Sequence, residues 1–140
     1  MKTLRIYGPS GAALPFDLRD ILQRLAPRSL GASWKVSAVD AGYRWFDATG
    51  PGGDVLETWA QSGSMVEGRQ LAAAAQDVRQ VIWGEFTGFL QSAPDRTWII
   101  VRAIDSTFYE ITTDDETVLQ RVETGFQGVR RSDAPWKSAG

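Results

Sequence analysis

The 140-residue chain contains no histidine, no cysteine and no asparagine. Without cysteine it can form no disulfide, no thiolate zinc site and no thiol nucleophile. Without histidine it lacks the imidazole of a serine-protease triad, of a histidine metal site and of a pH switch near neutrality. The lack of asparagine excludes N-glycosylation and most amide contacts to adenine. The side chains that remain for chemistry are mainly carboxylates, hydroxyls, arginines and aromatic rings.

The chain also has no large excess of charge, because 15 basic residues nearly balance 17 acidic ones and the net charge is −2. Binding to DNA or RNA requires a clustered positive face, whereas the arginines here are scattered along the chain. We therefore expect no nucleic-acid partner. A chain of this length fits a single domain with one hydrophobic core, and its six tryptophans, six phenylalanines and three tyrosines can fill much of that core.

Long hydrophobic runs are absent as well. No stretch reaches the roughly 18 apolar residues of a membrane-spanning helix. The start of the chain carries a basic residue where a signal peptide would be apolar. We expect a cytoplasmic protein without a membrane partner, and no motif in the sequence indicates a cofactor or a metal ion.

The first half of the chain changes from a helical to a strand periodicity. A strand is predicted at 4–7. Leucines and isoleucines at positions 18, 21, 22 and 25 follow the spacing of one helical stripe, and Asp17 is a suitable N-cap. Between 34 and 60 the period becomes two, which predicts a three-stranded meander. Its turns are expected at Asp40–Gly42 and at Gly50–Gly53, and its last strand at 55–60.

The second half repeats the order of a helix followed by three strands. Ser64–Glu67 has the form of a capping box, which predicts a second helix after it. Strands are expected within 81–90, 98–104 and 107–112, and a final helix follows the acidic residues at 114–116. The predicted class is α+β, a mainly antiparallel sheet of about six to seven strands with three helices on one face, in the order β-α-βββ-α-βββ-α. The domain is expected to span 1–131, followed by a poorly ordered tail at 132–140.

Two carboxylates are the candidates for catalysis. Asp105 precedes Ser106 at the end of the most apolar strand, where a carboxylate can act as a base or hold a divalent metal. Both residue types are also common in turns. Glu85 lies between aromatic residues, a setting in which a carboxyl group can act as a general acid, although solvent exposure is the simpler interpretation. These residues support a carboxylate-dependent hydrolase or lyase, with or without a divalent metal, as the alternative function.

The preferred hypothesis is a non-catalytic protein-interaction module. In a strand, Trp83, Glu85 and Phe89 share one face, opposite Ile82 and Phe86. That aromatic face must be covered by a second layer or form an exposed patch, and such patches mark partner surfaces. Small bacterial toxin-neutralising (immunity) proteins belong to this general kind, although no residue motif connects them to this chain. The predicted surface contains a centre and an acidic rim: Trp83, Glu85, Phe89, Trp98 and Arg102, then Asp105, Glu110, Asp114 and Asp115.

Overall fold

The computed structural model of the chain describes residues 1–9, 13–39 and 46–137. Within these ranges, five helices and an antiparallel sheet of eight strands confirm the predicted α+β class. The elements are β1 (Lys2–Tyr7), α1 (Leu18–Arg24), α2 (Arg28–Gly31), β2 (Ser33–Ser37), β3 (Asp47–Thr49), α3 (Pro51–Ser62), β4 (Met65–Glu67), α4 (Gly68–Gln76), β5 (Gln80–Phe89), β6 (Ile99–Ile104), β7 (Phe108–Thr113), α5 (Glu116–Gly125) and β8 (Gly128–Ser132). None of the described helices is long and apolar enough to cross a membrane.

The strands follow the order β4-β2-β5-β6-β7-β1-β8, and β3 pairs with β5 beside β2. All of the strand pairs formed by the described residues are antiparallel. The long strand β5 is paired along one edge by both β2 and β3, with Ser37 opposite Glu85 and Asp47 opposite Trp83. The first strand, β1, lies near the far edge, between β7 and the last strand β8.

The helices cover one face of this sheet. Alternate strand residues, such as Leu4 and Ile6 in β1 and Val101 in β6, pack in a single buried cluster. The apolar stripes of the longer helices join that cluster, which includes Leu18, Ile21, Leu22, Leu56, Leu71, Ala75, Val118, Leu119 and Val122. Since successive strand residues point to opposite faces, the intervening residues form a second face, which we call the open face.

The segment after β3 is a helix, whereas the sequence predicted a turn at Gly50–Gly53 and a strand at 55–60. Pro51 occupies the first helical turn, where its missing N–H group costs nothing. A Cβ atom on Gly52 would lie 2.1 Å from the carbonyl oxygen of Ala74 in α4. The glycines therefore allow two helices to approach closely, and the predicted meander is wrong.

The predicted capping box at Ser64–Glu67 is also wrong. Residues Met65–Glu67 form the edge strand β4, which pairs with β2. A capping box does exist, but it joins Glu67 and Gln70, so that α4 begins at Gly68.

Strand β8 was not predicted. The turn predicted at Asp40–Gly42, and the start of the middle strand of the predicted meander, at Tyr43, lie outside the described residues.

Candidate functional site

A row of charged side chains crosses the open face on neighbouring strands. The strand register places Arg5 opposite Glu110, Glu110 opposite Arg102, and Arg102 opposite Glu85. Ser37 lies opposite Glu85 at the end of the row. Side chains directly opposite each other in antiparallel strands are close enough to interact, so alternating charges form a continuous line. We call these five residues the charge row.

Hydrogen bonds connect the charge row from end to end. Arg102 donates from Nε to Oε1 of Glu85 at 2.7 Å and from Nη1 to Oε1 of Glu110 at 3.4 Å. Arg5 donates from Nε to Oε2 of Glu110 at 3.2 Å. Ser37 donates to Oε2 of Glu85 at 3.5 Å. Glu110 is wholly buried between two guanidinium groups, which offset the cost of removing its carboxylate from water.

Aromatic side chains lie beside the charge row on the same face. Val39, Ile104 and Phe108 form a small buried cluster with half-buried Tyr7 and Trp83. The rings of Tyr7 and Phe108 are 5.1 Å apart. The guanidinium of Arg5 lies 4.9 Å from the centre of the Phe108 ring, so the apolar cluster and the charge row are in direct contact. We call this group the aromatic cluster.

Residues 133–137, which we call the C-terminal segment, contact the open face through Trp136. The ring of Trp136 is 5.4 Å from the ring of Trp83, and its backbone N–H donates to Oε2 of Glu110 at 2.9 Å. The predicted alternatives for Trp83 were a second layer or an exposed patch. Part of the predicted tail supplies that second layer, and it leaves Trp83 half-buried rather than fully covered.

Four of the predicted surface residues share the centre of the open face, namely Trp83, Glu85, Arg102 and Glu110. Phe89, at the end of β5, lies opposite Ser33 on the same side of the sheet. The sequence analysis did not predict that Arg5, Tyr7, Ser37 or Trp136 would join them. The alternation of Arg5 and Tyr7 with the apolar residues of β1 could have suggested it, but strand order cannot be obtained from alternation alone.

Trp98 does not belong to this surface. It lies just before the first residue of β6, so the alternation of that strand does not apply to it. Its side chain is buried on the helix-covered side, where its ring meets Trp34 at 6.1 Å. Its indole N–H donates to Oδ2 of Asp115 at 3.0 Å.

The predicted acidic rim is likewise dispersed. Asp105 lies in the turn between β6 and β7, whereas Asp114 and Asp115 follow the opposite end of β7. A strand of six residues separates these ends by about 20 Å. Glu110 lies between them, within the charge row.

Asp105 and Asp115 each have a local structural role. Asp105 and Ser106 have φ angles of 50° and 60°, and Thr107 closes their turn by donating to the Ile104 carbonyl at 2.9 Å. Asp115 is the N-cap of α5 and pairs with Arg28. Burial raises its pKa, but hydrogen bonds from Trp98 and Arg28 outweigh this effect, and the net pKa is lowered.

The two catalytic candidates are not brought together. Glu85 is held by Arg102, while Asp105 lies three residues further along the chain than Arg102, or about 10 Å away along β6. Among the described residues, no group of three or more acidic side chains could hold a metal ion. The carboxylates of this face are joined to arginines rather than to one another.

A separate carboxylate is buried under the helices. Asp17 caps α1 by accepting from the Leu18 amide at 2.8 Å, and it also accepts from the Tyr109 hydroxyl at 2.6 Å and the Val81 amide at 3.3 Å. Burial raises the pKa of Asp17 despite these donors. Burial and the neighbouring Asp17 carboxylate raise the pKa of Tyr109 well above its ordinary value. This network ties α1 to β5 and β7.

A cleft of about 750 Å³ lies where β1 ends, between α1 and α5. Its walls include Phe16, Arg24, Arg121 and Phe126. Arg24 donates to the carbonyl of Arg121 at 2.9 Å, and Arg121 donates to the carbonyl of Arg24 at 3.3 Å. The two arginines thus connect the helices, and the cleft opens widely to solvent.

No family model matches the sequence, and comparison with curated proteins and with solved structures found no match. The class of this protein is therefore described by its fold and by the residues on the open face. It is an α+β domain whose helices cover one face of an antiparallel sheet, and the other face carries the charge row, the aromatic cluster and the C-terminal segment.

Proposed function

We propose that the chain is a non-catalytic protein-interaction module and that its open face binds another protein. The observation that carries this proposal is the contact between the charge row and the aromatic cluster on the face that the helices leave uncovered. Aromatic and arginine side chains are the groups most enriched in binding hot spots. An antiparallel sheet with a solvated face is expected to present polar residues there. The half-buried aromatic rings of Trp83 and Tyr7 depart from this expectation, and binding of a partner accounts for them.

The pairing within the charge row favours a protein partner. Arg102 is bonded to two carboxylates and Arg5 to one, so the row presents both signs in fixed positions. A surface of alternating charge selects a partner by complementarity, and it lacks the continuous positive field that nucleic acids require. A toxin-neutralising role in a bacterial cytoplasm is one form of this function that suits a small acidic domain. The hydrolase or lyase alternative gains no support from the separate positions of Glu85 and Asp105.

The proposal is tested by quantitative capture from the source lysate with the wild-type chain and two tryptophan variants. Trp83→Ala removes the aromatic ring at the centre of the open face. Trp59→Ala removes a half-buried ring from α3, which packs against the main core, and serves as the matched control. Truncation of a hot-spot aromatic costs about 2 kcal/mol of binding, or about thirtyfold in affinity. We expect this loss for Trp83→Ala alone.

Thermal unfolding of both variants separates binding from folding. The expected result is a folded Trp83→Ala protein that no longer retains a stoichiometric protein, while Trp59→Ala still does. The proposal fails if Trp83→Ala retains the same protein as well as the wild type does, or if its loss of capture only follows a loss of folding.

A further inference from the structure

We propose that the C-terminal segment is an intramolecular occupant of the partner-binding site, which the partner displaces with an extended, aromatic-bearing segment of its own. This inference rests on the proposed function and adds to it the chemistry of the partner and a means of control. The observation behind it is that Trp136 contacts both the aromatic cluster and the charge row. The segment therefore covers the surface that a partner would need.

The position of Trp136 shows what the open face recognises. One contact is an aromatic ring packed against Trp83 at a tilt of 56°. The other is a backbone N–H donated to Glu110, whose carboxylate is held in place by Arg5 and Arg102. Because this acceptor is fixed beforehand, it suits a peptide segment that provides a main-chain donor beside an aromatic side chain.

The sequence of the C-terminal segment favours an extended backbone. Pro135 has a restricted φ angle, and it also biases Ala134 away from helical conformations. After a bend at residues 133 and 134, residues 135–137 reach the open face without a further bend or turn. A partner segment of the same kind, with an aromatic residue in an extended stretch, would make the same two contacts.

The C-terminal segment is held weakly enough to be replaced. Its other members, Asp133, Ala134, Pro135 and Lys137, are exposed. Segments with few buried groups open locally at low free energy, whereas β8, which pairs with β1 over five residues, stays in the sheet. Displacement therefore requires release of Trp136 alone and leaves the fold intact.

Attachment to the chain makes this weak contact effective as a competitor. A short tether gives the segment an effective concentration in the millimolar range. A ligand that requires the vacated surface then binds with an affinity reduced by the fraction of chains in which the segment is displaced. Removal of the Trp136 side chain should accordingly increase the affinity for a competing peptide.

The test uses the 140-residue chain, its Trp136→Ala variant and a synthetic peptide of residues 132–140. Binding is followed by the indole N–H signal of Trp83 in NMR spectra. We expect the peptide to shift that signal in Trp136→Ala and to bind the wild-type chain about tenfold more weakly, because the wild-type segment competes. A peptide with alanine in place of the tryptophan should not bind, and a Trp59→Ala chain should behave like the wild type.

Equal binding of the peptide to the wild-type and Trp136→Ala chains would overturn the inference, as would no binding to Trp136→Ala at millimolar concentrations. Since this experiment contains no partner protein, its failure is separate from failure of the proposed function. If capture depends on Trp83 but the peptide binds the wild-type and Trp136→Ala chains equally, the open face binds a partner and the C-terminal segment is not its competitor. If the peptide binds Trp136→Ala more tightly than the wild type but capture is independent of Trp83, the proposed function is wrong.

Discussion

Tyr109 and Glu110 are consecutive residues of β7 that face opposite sides of the same sheet, and each belongs to a network around a buried carboxylate. On the helix-covered side, Tyr109 donates to Asp17, whose other donors are backbone amides. On the open side, Glu110 accepts from Arg5, Arg102 and the backbone of Trp136. One carboxylate is thus bound by uncharged donors and the other mainly by guanidinium groups.

The two networks differ in the parts of the chain that supply their hydrogen-bond donors. The donors of Asp17 come from α1, β5 and β7, which are fixed by the main core. The open-side network includes a donor from the C-terminal segment, which under the proposal above a partner peptide replaces. The first network therefore connects parts of the core, whereas the second also contacts the segment proposed to be displaced. Three stability experiments test the contrast between a carboxylate bound by uncharged donors and one bound by guanidinium groups.

The largest effect on stability is expected on the open side, from Glu110→Ala. The substitution leaves Arg5 and Arg102 facing each other without the carboxylate between them. Removal of one partner from a buried ion pair costs about 3–5 kcal/mol. Because the side chains of Arg5 and Arg102 are 25% and 16% exposed, we expect a loss of about 3 kcal/mol in the free energy of unfolding, measured by urea denaturation.

Glu85→Ala is the matched control, since it removes the other carboxylate bonded to Arg102. The side chain of Glu85 is 20% exposed, and Glu110 remains as a partner for the arginine. We expect a loss of about 1 kcal/mol. Equal losses for the two variants would show that burial between two guanidiniums gives Glu110 no special role.

A smaller loss is expected on the helix-covered side, from Tyr109→Phe. The variant keeps the ring in the core but removes the donor nearest to Asp17. A buried acceptor that loses one of its donors costs about 1–2 kcal/mol. Tyr7→Phe, at a half-buried ring on the open face, should change the free energy of unfolding by less than about 0.5 kcal/mol. A Tyr109→Phe value no larger than this control would contradict the account of the Asp17 network.

The smallest effect concerns the pH dependence of stability. The pKa of Asp17 is raised in the folded chain, so the folded state binds more protons between the ordinary and the raised value, and stability falls as pH rises through that interval. Asp115 has a lowered pKa. It contributes stability above its ordinary pKa, and this contribution is lost as pH falls through the lowered value.

Asparagine at either position separates the two contributions. Asp17→Asn keeps a good N-cap residue and should remove the decrease in stability between the ordinary and the raised pKa. Asp115→Asn should instead remove part of the loss of stability at acid pH. Urea denaturation across the acid range measures both slopes. If the free energy of unfolding of Asp17→Asn has the same pH dependence as that of the wild type, the raised pKa of Asp17 does not contribute to it.

The sequence predicted those elements whose signals are local. The Asp17 cap with its apolar stripe, the continuous apolar run of β6 and the amphipathic pattern of α5 lie where they were expected. The segment at 50–62 was misinterpreted because a glycine can signal either a turn or close helix packing. Only the position of Ala74 in α4 decides between these roles for Gly52.

The candidate site could be predicted from the sequence only as far as local signals allow. Alternation within β5 placed Trp83 and Glu85 on one face, but the pairing of Glu85 with Arg102 and of Arg102 with Glu110 depends on strand register. The position of Trp136 over Trp83 depends on the path of the chain after β8. Neither feature has a local sequence signal. The charge row and its contact with the C-terminal segment can therefore be recognised only in the three-dimensional structure.

The most direct test of the two-face account is an NMR titration of the chain with its captured partner, observed at the tryptophan indole N–H signals. Trp83 and Trp136 report on the open face, while Trp34 and Trp98 report on the helix-covered side. The account predicts that the partner shifts the signals of Trp83 and Trp136 and leaves those of Trp34 and Trp98 unchanged. Shifts confined to Trp34 and Trp98 would contradict it.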